Sequence, residues 1–127
     1  MDIVVDIQAK EPIYEQIYLQ IKQQILLGEL NSLEALPSIR KLANDLDVSV
    51  ITTRKAYDEL INENLVVSVK GKGMYVGQID RLFIQQNYQK ELKKQIRALK
   101  EEASIYGVDG AMFREIFSQV LEERTDI

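Results

Sequence analysis

A chain of 127 residues with 46% apolar and 28% charged residues has the composition of one globular domain with room for a helical appendage. It contains neither cysteine nor histidine, which excludes disulfides, thiol nucleophiles, Cys/His zinc sites and imidazole acid-base chemistry, and we expect no metal and no cofactor. No apolar run approaches the roughly 20 residues that span a bilayer, and no basic region precedes an apolar stretch at the N-terminus, so we expect a cytoplasmic protein.

Helix and strand signals alternate along the chain. Isoleucines at a spacing of four are followed by Gly28, which favours a left-handed helix stop, and Ser38 and Ser49 are good N-caps for two short helices. From Asp80 the pattern becomes a long helix with heptad-like spacing. The predicted elements are an extended arm or short strand over 2–8, a loop over 28–37, helices over 12–27, 39–46, 50–63, 80–106 and 110–124, and strands over 65–69 and 74–78.

The third predicted helix has two distinct faces. An inner stripe is formed by Thr53, Ala56, Tyr57, Leu60 and Ile61, and an outer stripe by Ile51, Arg54, Lys55 and Asp58. This helix follows another across a tight turn at 47–49 and precedes a glycine-containing hairpin tip, GKGMYV at 71–76. Such an order is typical of a winged helix-turn-helix, which inserts one helix into the DNA major groove. We therefore predict a mainly α fold with a small β-hairpin, in which residues 1–78 form a winged helix-turn-helix DNA-binding domain and residues 79–127 a two-helix dimerisation tail.

Charge is distributed unevenly in an acidic chain of net charge −4. Residues 1–79 carry 8 Lys and Arg against 11 Asp and Glu, and residues 80–127 carry 8 against 9. Two segments contain cations and no acid, namely 48–57 with Arg54 and Lys55, and 64–79 with Lys70 and Lys72. Since exposed charges more than roughly 10 Å apart are screened at 0.1 M salt, phosphate binding depends on where the cations lie rather than on their total.

The predicted tail carries an apolar seam that two helices cannot bury alone. We expect a second copy of the chain to cover it, which gives a homodimer. The predicted interface residues are Tyr88, Leu92, Ile96, Leu99, Ala103, Phe113, Ile116, Phe117 and Val120. The alternative is a pocket for a small-molecule effector beside Tyr88, Tyr106 and Phe113, which the lack of a clear polar cluster disfavours.

These motifs resemble the GntR family of bacterial transcriptional regulators, and the short helical tail resembles its YtrA-type branch. The likeness is carried by PIYEQI at 12–17, Gly28-Glu29-Leu30, LPSIRKLA at 36–43, VS at 48–49, RKAYDEL at 54–60 and GKGMYV at 71–76. Beyond residue 76 it rests on length and helical pattern. The resemblance implies a homodimeric repressor of a pseudo-palindromic operator, with double-stranded DNA as its partner.

The resemblance also implies which residues contact DNA. Arg40 of PSIR matches a DNA-contacting arginine, Thr52 and Arg54 match recognition-helix positions, and Lys70 to Gly73 match the wing tip. The expected DNA-binding residues are Arg40, Ser49, Val50, Ile51, Thr52, Arg54, Lys55, Lys70, Gly71, Lys72 and Gly73. Four positions depart from the family pattern: Val50 replaces arginine, Ile51 a polar residue, and Leu33 and Asn64 replace glycines. We expect Val50 and Ile51 to contact thymine methyl groups, although an exposed isoleucine also needs no function.

Structural alternatives stand beside the DNA contacts. Adjacent cations such as Arg54 and Lys55 commonly form a solvated helix face, and Arg40 has Asp45 and Asp47 nearby in the sequence for a surface ion pair. The two glycines of the tip also suggest a phosphate loop, but no Lys-Ser/Thr leads from them into a helix.

Two other functions are open for the whole protein. A winged-helix protein-interaction module without DNA binding would suit the acidic net charge. An acid-base enzyme would need paired carboxylates such as Glu101 and Glu102, but neighbours on a helix diverge by about 100° and make a poor site. The sequence therefore predicts a DNA-binding regulator rather than an enzyme.

Overall fold

The computed structural model describes residues 1–123. They fall into two compact units, the first from Met1 to Asp80 and the second beginning at Arg81. Their elements, in chain order, are α1 (Ile13–Leu26), β1 (Ala35–Leu36), α2 (Ile39–Leu46), α3 (Val50–Asn62), β2 (Val66–Val69), β3 (Gly73–Val76), α4 (Arg81–Ile105) and α5 (Gly110–Glu122). The expected mainly helical fold with a small antiparallel sheet is confirmed. The predicted end of the last helix at residue 124 lies outside the described residues.

The first unit has a core of three helices, each of which buries one apolar face. The isoleucine stripe of α1 packs against α3, and α2 packs against the same helix. The buried side chains are Ile17, Ile21, Ile25, Leu30, Leu36, Ile39, Leu42, Ala43, Thr53, Ala56, Tyr57, Leu60, Leu65, Val66 and Val76. Thr53 is the polar member of this set, and its hydroxyl donates to the Ser49 carbonyl at 3.2 Å. The inner stripe predicted for α3 is thereby confirmed, apart from Ile61, which is half-buried.

Local capping residues determine where α2 and α3 begin and end. The Ser38 and Ser49 hydroxyls each accept a hydrogen bond from the amide three residues on, at 3.1 and 3.0 Å, which confirms both predicted N-caps. Asp47, at φ 56°, makes the tight turn between the two helices. Asn64, at φ 61°, adopts the left-handed conformation expected of it at the end of α3. The start of α3 is therefore fixed relative to α2 by the sequence between residues 46 and 50.

The three strands form an antiparallel sheet in the order β1-β3-β2. β2 and β3 make the wing, with Val66 opposite Val76 and Val69 opposite Gly73. β1 pairs with the other edge of β3, where Ala35 lies opposite Tyr75. Val66 and Val76 lie on the buried face, so the wing is anchored to the helical core.

The structure corrects two details of the predicted strands. β1 lies inside the predicted loop over 28–37. The sequence does not predict it, because a strand of two residues is too short to show an alternation of apolar and polar residues. The second hairpin strand was predicted over 74–78 but covers Gly73–Val76. It ends before Gly77, where an added Cβ would lie 2.6 Å from the Asn64 carbonyl oxygen. Glycine at this position therefore allows a close backbone approach to Asn64.

The N-terminal segment is an extended arm rather than a strand. Gln20 makes two bonds with Val4, accepting from its amide at 2.9 Å and donating to its carbonyl at 2.7 Å. Gln16 makes the same pair of bonds with Asp6, both at 2.9 Å. Three glutamines spaced four residues apart on α1, the last being Gln24, thus hold the backbone of alternate arm residues. We call Gln16, Gln20 and Gln24 the glutamine ladder.

The second unit consists of α4 and α5. Neither helix buries a residue within the described part of the unit. Gly107, at φ 80°, follows the end of α4, and the Asp109 carboxylate accepts a hydrogen bond from the Met112 amide at 2.9 Å, as expected of an N-cap. The apolar seam of this unit therefore lies at the surface of a single copy.

Candidate nucleic-acid interface

The outer stripe of α3 faces solvent as predicted. Ile51, Arg54, Lys55 and Asp58 are all exposed, while the opposite side of the helix is buried in the core. Packing of α3 against both α1 and α2 fixes the helix and leaves this stripe free. A helix held in this way can enter a groove of a partner without rearrangement of the core.

Arg54 and Lys55 are neighbours in sequence but differ in surroundings. No hydrogen bond or ion pair joins the Arg54 side chain to another of residues 1–123. The Lys55 ammonium instead lies 3.8 Å from the centre of the Tyr14 ring on α1, within cation-π distance. Arg54 therefore keeps its full hydrogen-bonding capacity for a ligand, whereas Lys55 is partly engaged in holding α3 to α1.

Ser49 and Thr52, both expected to contact DNA, use their hydroxyls within the cap of α3. Ser49 Oγ accepts from the Thr52 amide at 3.0 Å and donates to Thr52 Oγ1 at 2.8 Å. Ser49 is exposed and Thr52 half-buried. The first turn of α3 is thus stabilised by its own polar groups.

Arg40 lies on the exposed side of α2. The alternative ion pair with Asp45 or Asp47 does not form among residues 1–123, and Asp45 pairs with Lys41 at 3.3 Å. Arg40 and Val50 line the same shallow depression between α2 and the start of α3. The structure therefore brings the predicted contact residue of α2 next to the start of α3.

The wing tip presents two lysines to solvent. Lys70, Gly71, Lys72 and Gly73 are exposed, and neither lysine has an ion-pair partner within the described part of the chain. Gly71 at φ 78° and Gly73 at φ 108° permit the reversal, and the Lys72 amide donates to the Val69 carbonyl at 2.9 Å. Gly73 belongs to β3 rather than to the turn. The hairpin geometry supports a wing rather than a phosphate loop.

A second group of residues positions α3 and was not predicted. The Tyr18 hydroxyl of α1 donates to the Glu63 carboxylate at the end of α3, and Lys22 lies 2.9 Å from the same carboxylate. Burial, followed by the bond with Glu63, raises the pKa of Tyr18. Burial lowers the pKa of Lys22, but its bonds with Tyr18 and Glu63 outweigh this and the net direction is upward. The group therefore keeps its proton donors and its ion pair at neutral pH.

Tyr57 fixes the other side of α3. Its hydroxyl donates to the Pro37 carbonyl at 2.6 Å, and burial raises its pKa strongly, so it remains a donor. The sequence places these tyrosines on helix faces but does not otherwise indicate the contacts. Their partners lie on other elements and could not be identified from spacing.

Residues 1–123 give little evidence for a metal site or a small-molecule site. Within residues 1–123, no cluster of three or more carboxylates has the arrangement to hold a metal ion. Among the described residues, open depressions lie near the start of α5; Phe113 lines one that also involves Ile96 and Phe117, and Tyr88 and Tyr106 line neither this one nor the one beside Ser104 and Asp109. No helix in the described part of the chain is both long and apolar enough to cross a membrane.

Comparison with known proteins agrees with this geometry. The model of the family "Bacterial regulatory proteins, gntR family" matches residues 13–76. The HTH-type transcriptional repressor YtrA of Bacillus subtilis strain 168 is 32% identical over 107 residues, which cover 84% of this chain and 82% of YtrA.

Solved structures are similar as well. A GntR family transcriptional regulator from Listeria monocytogenes has 28% identity and a TM-score of 0.66, covering 92% of this chain and 99% of that chain. AraR(DBD) in complex with operator ORX1 has 28% identity and a TM-score of 0.54, covering 61% of this chain and 99% of that chain. The resemblance expected from the motifs, including the likeness to YtrA, is confirmed. This protein belongs to the gntR family of bacterial regulatory proteins.

Proposed function

We propose that the protein is a sequence-specific transcriptional repressor that binds a pseudo-palindromic operator as a homodimer in the cytoplasm. The observation that carries the proposal is Arg54, an arginine without a protein partner among residues 1–123 on the exposed face of a capped helix. Arg40 on α2 and the lysines of the wing tip add further cations that form no ion pair with a carboxylate of residues 1–123. Such groups bind phosphates and the acceptor edges of guanine.

The relatives support this partner. YtrA of Bacillus subtilis is named as a transcriptional repressor, and the solved AraR(DBD) structure holds operator DNA. The likeness to AraR(DBD) extends over 61% of this chain. We therefore assign DNA contact to the first unit and dimerisation to the second.

The acidic net charge is the main point in favour of a protein-interaction module. The local distribution of charge outweighs this point, because the outer face of α3 and the wing tip together hold several cations and a single acid, Asp58. Beyond a Debye length of roughly 10 Å the acids elsewhere are screened. Binding to duplex DNA should therefore be strongly salt-dependent and sensitive to these few side chains.

Exposed apolar residues support the homodimer. Tyr88, Leu92 and Leu99 on α4 and Ile116, Phe117 and Val120 on α5 are exposed in a single copy, and Ile96, Ala103 and Phe113 are half-buried. A contiguous apolar surface of this kind marks an interaction site in a soluble protein. A second copy offers the same seam, and two-fold pairing would present two recognition helices to a symmetric site.

Selection of genomic fragments that the purified protein retains, followed by gel retardation, tests the function. We expect retention of the selected fragment over a scrambled fragment of equal length, and loss of binding as salt rises. Replacing Lys70 and Lys72 together with Ala should lower affinity about equally for both fragments. It should also reduce the slope of log affinity against log salt by up to about two phosphate contacts, at about 0.9 each.

The matched control is Lys93→Ala with Lys94→Ala, which removes the same two charges from α4. This variant should keep the wild-type slope. Absence of any sequence-specific retardation would contradict the proposal and favour the protein-interaction module, and an unchanged slope in the Lys70 and Lys72 variant would remove the wing from the interface.

A further inference from the structure

The first turn of α3 presents an apolar surface where a DNA-reading helix usually offers polar groups. Ile51 is 80% exposed, and Val50 beside it is 40% exposed. Ile51 lies on the same stripe as Arg54, one turn earlier in the helix, so a ligand that meets Arg54 also meets Ile51.

The hydroxyl of Ser49 and the amide of Thr52 are already paired within this turn. The Ser49 and Thr52 hydroxyls bond to each other at 2.8 Å, and Ser49 also caps the Thr52 amide. A base edge placed against Ile51 would therefore meet hydrocarbon first. Hydrogen-bond donors and acceptors of a base would be desolvated there without a partner, which is unfavourable.

Val50 and Ile51 have different roles in the structure. Val50 lines the depression that Arg40, Ala43 and Val48 also line, and so belongs to the junction between α2 and α3. Ile51 is not among the residues that line this depression, and it is twice as exposed. Of the two residues expected to contact thymine, Ile51 is the one whose side chain is available to a base.

We infer that Ile51 reads the C5-methyl group of one thymine in each half-site of the operator. The inference rests on the proposed function and adds a base identity to it. In the major groove the thymine methyl is the apolar group among donors and acceptors, so it is the base feature that complements an exposed isoleucine. Replacement of thymine by cytosine would place the N4 hydrogen-bond donor against a side chain that has no acceptor.

The test replaces thymines of the selected operator one at a time with deoxyuridine, which keeps base pairing and removes only the methyl group. We expect one position in each half-site at which this change weakens binding by about fourfold, the effect of removing one buried methyl-sized group. Other thymines should show less than a twofold change. With Ile51→Ala, binding to the normal operator should weaken, and deoxyuridine at the same position should have no further effect.

Ile7→Ala is the matched control, because Ile7 is 77% exposed and lies on the N-terminal arm. This variant should retain the full response to deoxyuridine. If the operator is bound specifically but no thymine is sensitive to methyl removal, or if the sensitivity persists in Ile51→Ala, the inference is overturned while the proposed function stands. Failure to bind any operator would overturn both.

Discussion

Leu33 holds a left-handed backbone conformation, with φ at 68°, that a residue with a Cβ adopts only with steric strain. Its amide donates to the Val76 carbonyl at 3.0 Å, which keeps the loop beside β3. The family resemblance implies glycine at this position, and glycine adopts such a conformation without the steric penalty. The side chain is 63% exposed, so little apolar burial compensates for the strain.

Replacing Leu33 with Gly should therefore stabilise the first unit. Relief of left-handed strain contributes roughly 1–2 kcal/mol, and the greater freedom of glycine in the unfolded chain offsets about 0.4–1 kcal/mol of it. The free energy of unfolding, measured by urea denaturation, should rise by about 0.5–1 kcal/mol. Leu27→Gly is the control, since Leu27 is 65% exposed but has an ordinary φ of −85°. That variant should lose stability, and equal losses in both would show that Leu33 is unstrained.

Residues whose role depends on their near neighbours in the chain were predictable. Ser38 and Ser49 as caps, and Asn64 as a left-handed helix end, follow from local hydrogen bonding and backbone preference. The role of Lys55 was not predictable, because its partner, the Tyr14 ring, lies on a different helix. Spacing placed Lys55 on the correct face but could not show that another side chain already engages it.

At the scale of elements, the glutamine ladder shows how a helix can hold an extended segment. Four residues of helix advance about 6 Å, and two residues of an extended chain advance about 6.6 Å, so side chains at i, i+4 and i+8 match alternate backbone groups. Gln20 and Gln16 each give their arm residue one donor and one acceptor. The ladder recognises backbone rather than side chains, which explains why residues 2–8 gave an ambiguous sequence signal.

Gln20→Ala removes both central bonds of the ladder and should release the arm. We expect faster hydrogen exchange at the Val4 amide and a loss of about 1 kcal/mol in unfolding free energy, because each such bond contributes roughly 0.5–1.5 kcal/mol and these are exposed. Gln23→Ala is the control, as Gln23 is exposed on the same helix and outside the ladder. Unchanged exchange at Val4 in the Gln20 variant would mean that the arm is held by other contacts.

Elements with a strong period were predicted to within a residue at most ends, whereas β1 and the end of β3 were not. α1 to α4 have apolar stripes that the chain displays directly, and α2 and α3 also have serine N-caps. β1 is two residues long, and its pairing with β3 depends on the loop that precedes it. β3 ends before Gly77, and no local pattern reveals how closely the backbone of Gly77 approaches the Asn64 carbonyl.

At the scale of the whole molecule, the predicted DNA-contacting residues all lie in the first unit and the predicted dimer residues all lie in the second. The first unit has a buried core of its own, whereas α4 and α5 bury no residue in the described part of the second. Two helices without a core are weakly stable alone. Dimerisation would therefore both stabilise the second unit and hold two recognition helices for one operator.

Leu92→Glu with Ile96→Glu places two charges in the apolar seam of α4 and should give a monomer. Joining two DNA-binding units raises affinity by roughly 10²–10⁴ through effective concentration, so this variant should bind the operator at least about 100-fold more weakly. Sedimentation velocity reports the oligomeric state and gel retardation the affinity. Gln86→Glu with Asn87→Asp adds the same two charges away from the seam and should remain dimeric and active. Full-strength operator binding by a demonstrated monomer would contradict the role assigned to the second unit.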